Sequence, residues 1–141
     1  MFYNCISQHF FLKKVPYASP SLKTRLIFKE LAAYRTALPV EYGSSCFCRV
    51  LGSRMDLLRV LITGPDDTPY ANGCFFFDMC LPTLYPRVPP WCQFLTTGGG
   101  KLRFNPNLYD CGKVCLSLLG TWAGERLRRA TCLWGDSLTL I

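Results

Sequence analysis

The spacing of apolar residues changes once along the chain, near Gly43, from a helical period to a period of two. That change restricts the chain to a helix packed on a sheet. Before it, Ile27, Leu31, Tyr34 and Leu38 stand at i, i+4, i+7 and i+11, a stripe along one face of a helix. Ser19-Pro20 supplies an N-cap and a first-turn proline, and Pro39 ends the helix. After it, Cys46–Leu51, Asp56–Thr63, Cys74–Leu81 and Trp91–Leu95 read as four strands. Leu58, Val60 and Ile62 share one face of the second, and Phe75, Phe77, Met79 and Leu81 one face of the third. Gly52-Ser53-Arg54 and the segment Gly64–Gly73 are dense in turn residues. Short connections favour an antiparallel meander, so the fold class is α+β. The aromatic, irregular residues 1–18 are expected to form a poorly ordered extension or a docking strand.

Length and composition narrow the function classes. With 141 residues, half of them hydrophobic and 18% charged, the chain can bury one core and is not of disordered composition. No apolar run approaches the roughly 18 residues of a membrane span, so no membrane partner is expected. The net charge is +7. Residues 1–40 carry six basic and one acidic side chain, whereas residues 41–124 carry seven and six. The body is near neutral, which points away from a nucleic-acid footprint. Nine cysteines, no Cys-x-x-Cys pair and one histidine, His9, do not make a structural zinc site. No metal and no cofactor are expected. Met1–Lys14 lacks the pattern of a secretory signal, so the thiols are read as mostly free, in cytoplasm or nucleus.

Three chemical readings fail on residue type. Gly98-Gly99-Gly100-Lys101 lacks the spacing and the following helix of a phosphate loop. A cysteine protease needs a histidine beside its thiol, and His9 stands in the irregular extension. Asp66-Asp67 are turn-formers. The long unperiodic segment from Thr96 to Ser117 is where function is expected to lie.

Within it stands Asn105-Pro106-Asn107, followed eight residues after Asn107 by Cys115 in Gly112-Lys113-Val114-Cys115-Leu116. Upstream stand Tyr85-Pro86-Arg87-Val88-Pro89-Pro90 and Gly64-Pro65…Thr68-Pro69-Tyr70…Gly73, and Trp122 follows the cysteine. Together these motifs resemble the ubiquitin-conjugating enzymes, the UBC family, over about residues 21–124. Only the histidine of the family's His-Pro-Asn is replaced, by Asn105. That asparagine and the Arg54–Leu58 run look closest to the UBC domains of the large hybrid conjugating enzymes of the inhibitor-of-apoptosis-repeat type. After Gly124 the family's helical pattern ceases. The resemblance thus implies an incomplete UBC core at 19–124, between an extension at 1–18 and a divergent tail at 125–141. Its fold would be a UBC-like N-terminal helix on a four-stranded meander with an active-site loop and truncated C-terminal helices.

The resemblance further implies a transferase whose partners are ubiquitin, the ubiquitin-activating enzyme and a ubiquitin ligase. Cys115 would be the nucleophile and thioester carrier, with a buried structural cysteine as the competing reading. Asn107 would stabilise the oxyanion, or else support the loop. Ser117 falls on the path of the incoming lysine, where many family members carry an acid. Lys23, Arg25 and Lys29 match the helix face that meets the activating enzyme; otherwise they form a solvated face. Arg87 and Pro89 lie in the ligase loop, and Arg87 departs from the family's usual apolar residue. Tyr109 would shape the groove or fill the core. Cys111 reads as a surface substitution that could trap Cys115 in a disulfide. The alternative function is a truncated, inactive UBC-like interaction module.

Overall fold

The computed structural model describes residues 8–16 and 22–121, with helix side chains from residue 24 onward. Its one α-helix among these residues, α1, runs Leu22–Ala37. The expected Ser19-Pro20 cap lies outside the described residues. Ile27, 3% exposed, is the centre of the predicted stripe and packs on Leu58, Leu81 and Tyr85, with Leu26 and Leu31 beside it. Arg25, Lys29 and Arg35 face solvent.

Four strands follow: β1 (Cys46–Leu51), β2 (Arg54–Thr63), β3 (Cys74–Cys80) and β4 (Trp91–Phe94). They form one antiparallel sheet in the order β1-β2-β3-β4, the expected meander. β2 begins two residues before the predicted Asp56, because Arg54 pairs with Leu51 across a register shift. The Arg54 side chain then grips Asp56, with Nε and Nη2 donating to its carboxylate at 2.9 and 3.0 Å.

Register assigns the faces. Val50, Leu58, Met79 and Cys92 stand in one cross-strand row, and Cys48, Val60, Phe77 and Phe94 in the next. α1 covers the first row's side of this inner face. Toward the other end, Phe75, Phe77 and Phe94 pack with Phe104, Leu108, Val114 and Leu119, all from the chain after β4.

The outer face corrects the expectation for the N-terminal extension. Residues 8–16 are neither disordered nor a strand; they form tight turns, with Leu12 N–H donating to His9 O and Val15 N–H to Phe11 O. Phe11 is buried among Leu51, Leu57 and Cys80. Consequently β2 is buried on both sides at Leu57 and Leu58, against the one-faced pattern read from alternation. His9, 4% exposed, donates from Nε2 to Leu58 O at 3.0 Å and accepts from Phe11 N–H at Nδ1. Beside it the fully buried Asp78 accepts from Arg59 Nε (2.6 Å), Arg59 Nη2 (2.8 Å) and Phe10 N–H (2.7 Å). A buried carboxylate needs such partners, since desolvation without them costs several kcal/mol.

Candidate active site

The loop after β4 is built as a series of backbone-locked turns. Gly98, Gly99 and Gly100 all have positive φ, and the amides of Gly100, Lys101 and Leu102 donate to Thr97 O at 2.9–3.1 Å. Those donors are engaged within the turn, which removes the phosphate-cradle reading on geometric grounds as well. Tyr70, from the Gly-Pro…Tyr turn, donates its hydroxyl to Phe104 O, and Phe104 packs edge-on to Phe75 and Phe94. This fixes where the Asn-Pro-Asn segment starts.

Asn105 then closes its own turn. Its Oδ1 accepts from Asn107 N–H at 2.9 Å, and its carbonyl accepts from Leu108 N–H at 2.9 Å. This is the turn chemistry that asparagine supplies through a side chain imitating the backbone. The residue replacing the family's histidine therefore holds the loop, a role that sequence reading missed although the Asn-Pro-Asn spacing signals it.

Beyond the turn the chain doubles back. Leu108 bridges Val114, Tyr109 N–H donates to Lys113 O at 3.0 Å, and Cys115 N–H donates to Asn107 O at 2.8 Å. Gly112, with φ of 84°, sits at the bend, and β4 clamps it: Phe94 N–H donates to Gly112 O at 2.8 Å, and Gln93 Nε2 to Cys111 O at 2.9 Å. Asn107 and Cys115 are thus direct cross-strand neighbours.

The predicted site residues distribute as follows. Cys115 is 8% exposed, its thiol donating to Thr121 O at 3.3 Å. Asn107 and Ser117 are exposed, and Ser117 opens a short 3-10 turn, Ser117–Leu119. Tyr109 is half-buried between two cations, Arg103 at 4.4 Å and Lys113 at 5.6 Å from its ring. Cys111 stands exposed at the hairpin tip while Cys115 lies at its base. Both thiols are free, Cys111 exposed and Cys115 buried. Trp122 lies outside the described residues, as does the Lys23 side chain.

Two further loops border this region. Pro89 neighbours Gly120, and Arg87 is exposed nearby in sequence. The Tyr85 hydroxyl donates to both carboxylate oxygens of Glu30 at 2.8–2.9 Å, tying that loop to α1. Burial raises the Glu30 carboxyl above its ordinary range, against the lowering effect of the tyrosine hydrogen bond. Thus α1, the proline loop and the cysteine hairpin are linked through one sheet face. Arg25 and Lys29 sit apart from the hairpin, on α1.

The ubiquitin-conjugating enzyme sequence model matches residues 27–134 of this chain. The chain belongs to the ubiquitin-conjugating enzyme family. That match continues to Trp134, past Gly124, where the motif reading ends the resemblance. The "Probable ubiquitin-conjugating enzyme protein 17" of Caenorhabditis elegans is 56% identical over 109 residues, 76% of this chain and 15% of that protein. The human "Dual E2 ubiquitin-conjugating enzyme/E3 ubiquitin-protein ligase BIRC6" is 48% identical over 123 residues, 87% of this chain and 2% of that protein. The chain therefore spans only a small part of these curated relatives. Among solved structures, human ubiquitin-conjugating enzyme E2 G1 superposes with a TM-score of 0.57 at 32% identity, over 70% of this chain and 74% of that one. Its fold is the UBC fold, as the motifs imply.

Proposed function

We propose that this ubiquitin-conjugating family member carries ubiquitin as a thioester on Cys115 and passes it to a substrate lysine. The observation carrying the reading is the cross-strand pairing of Asn107 with Cys115, fixed by the 2.8 Å main-chain bond between them. A thioester carbonyl on Cys115 Sγ would lie within reach of the exposed Asn107 carboxamide. Loading is transthioesterification: the Cys115 thiolate attacks the carbonyl of ubiquitin's thioester on the activating enzyme, and that enzyme's thiolate leaves. In discharge a lysine amine attacks the same carbonyl, Cys115 leaves as thiolate, and the amine loses a proton to yield the amide. In discharge the attacked carbonyl passes through an oxyanion that the Asn107 N–H donors stabilise. A thiolate leaves without strong acid help, so a site lacking histidine remains competent.

Ser117 borders the lysine's approach and offers a hydroxyl rather than a charge. Lys23, Arg25 and Lys29 on α1 serve the activating enzyme, and Arg87 and Pro89 the ligase. A reducing compartment, cytoplasm or nucleus, keeps Cys115 free. The second reading, binding of ubiquitin or ligases without turnover, is favoured by the low exposure of Cys115 and its inward hydrogen bond.

The test is a thioester assay with activating enzyme, ATP and ubiquitin, read on non-reducing gels. A reductant-sensitive adduct is expected, with none for Cys115→Ala and a reductant-resistant ester at most for Cys115→Ser. An adduct that survives Cys115→Ala but is lost with Cys111→Ala overturns the assignment. A folded chain that never loads favours the binding reading.

A further inference from the structure

Thr121 stands six residues after Cys115, and its hydroxyl reaches back to the backbone around it. It donates to Val114 O at 2.7 Å and accepts from Leu116 N–H at 3.0 Å. Those two groups belong to the peptide units on either side of Cys115. The threonine's main chain joins in: Thr121 N–H donates to Leu116 O at 3.3 Å, and Thr121 O accepts the Cys115 thiol at 3.3 Å. With Asn107 O holding Cys115 N–H at 2.8 Å, the cysteine backbone is fixed from both directions. Asn107 fixes it across the hairpin and Thr121 across the following turn.

The thiol contact has a chemical sense. A carbonyl oxygen accepts from S–H but offers nothing to a thiolate, so the Cys115–Thr121 bond exists only in the protonated thiol. Attack on an acyl group requires the thiolate. With this bond made, the thiol is protonated and largely buried. Attack means breaking the thiol bond while the hydroxyl keeps the backbone in register.

We propose that Thr121 is a positioning residue for Cys115. Its hydroxyl holds the cysteine backbone opposite Asn107, and its carbonyl parks the protonated thiol until loading. This rests on the reading of Cys115 as the acceptor thiol, but the test does not depend on ubiquitin. Removing the hydroxyl alone, in Thr121→Val, deletes the two bridges and leaves shape and carbonyl. The turn then loosens and frees the thiol. Thr121→Ser keeps the bridges.

The experiment is alkylation of the full 141-residue chain by iodoacetamide, with Cys115 occupancy read by peptide mass spectrometry, since the other thiols react as well. Thr121→Val is expected to raise the Cys115 rate at pH 7.5 about tenfold, the effect of losing one or two net hydrogen bonds. Thr121→Ser should stay within about twofold of the parent. Loading with ubiquitin, where measured, should slow in Thr121→Val, because a displaced nucleophile loses its near-attack geometry. Equal alkylation rates in parent and Thr121→Val, or equal acceleration by valine and serine, would overturn the proposal. Should the valine variant not fold, amide hydrogen exchange in the parent decides. Leu116 N–H, bonded to the Thr121 hydroxyl, should be protected alongside Cys115 N–H, and exchange at the rate of an open loop overturns the clasp.

Discussion

Asn107 and Cys115 are joined through the main chain, carbonyl to amide at 2.8 Å, rather than through the Asn107 side chain. The carboxamide is thereby left exposed while the backbone of the same residue aligns the cysteine. Support and chemistry, which compete as readings of this asparagine from sequence, thus reside in different atoms of one residue.

That division predicts a split phenotype. Asn107→Ala keeps the main-chain bond and removes the N–H donors, so thioester formation should be little changed. Transfer to lysine should slow by about 10²–10³, the usual cost of one oxyanion donor. Single-turnover loading and discharge, measured separately, check this; equal losses in both steps would make the carboxamide a loop prop.

Gly112 carries a second prediction. A Cβ there would lie 1.8 Å from Gln93 Nε2 and 2.5 Å from the backbone oxygen of Phe94, at a φ of 84°. Gly99 is equally left-handed, but nothing lies within 4 Å of its Cβ position. Both substitutions to alanine carry the φ penalty of about 1 kcal/mol, and only Gly112→Ala must also displace β4 backbone. Thermal unfolding should fall by roughly 5–10 °C or more for Gly112→Ala, and by clearly less for Gly99→Ala.

Half-buried thiols set an alkaline limit. Burial pushes Cys48 and Cys92 up from 9.0 to about 12, with smaller contributions from neighbouring Cys46 and Asp78 respectively. A group whose folded pKa is raised holds its proton longer in the native state, so the unfolded chain releases protons first. Stability should therefore be fully present below pH 9 and fall as pH rises from 9 toward 12. Urea midpoints at pH 7.5 and 10.5 measure the loss. The Cys48→Ala, Cys92→Ala double variant should show a shallower decline, with Tyr34, also raised to about 12, supplying part of what remains.

Phe11 tests the covering of the outer face. It is buried against Leu51, Leu57 and Cys80 and stands 6.2 Å from the Trp91 ring. Phe11→Ala should cost about 3–5 kcal/mol, a large share of the roughly 5–15 kcal/mol that stabilises a domain. Denaturant unfolding of the two chains gives the difference directly.

Much of the sheet was legible because apolar residues recur at a period of two, as at Phe75, Phe77 and Met79, although Asp78 and Cys80 on the opposite face of β3 are the fully buried ones. The helix was legible from Ile27 and Leu31. Residues 8–16 were not, because turns have no period and Phe10-Phe11-Leu12 runs straight into Lys13-Lys14. Their burial of Leu57 beside Leu58 also breaks the alternation that β2 would otherwise show. At the site, the cysteine and asparagine could be read from spacing within a family motif. Asn105 closes a local turn that the Asn-Pro-Asn spacing signals, whereas Thr121 acts on backbone groups whose positions only the folded hairpin defines. A Gly-Thr pair closing a turn after the cysteine is a faint signal in retrospect.

The turns at 8–16 bear on where this domain can be cut. A shortened version starting at α1 keeps every family motif and the whole hairpin. It would also unwrap Leu57 and Cys80 and strip Phe10 N–H from the Asp78 carboxylate. Such a fragment would be sticky for reasons unrelated to catalysis, and a failed assay on it would say nothing about Cys115. Boundaries drawn from motif coverage alone would remove part of the core.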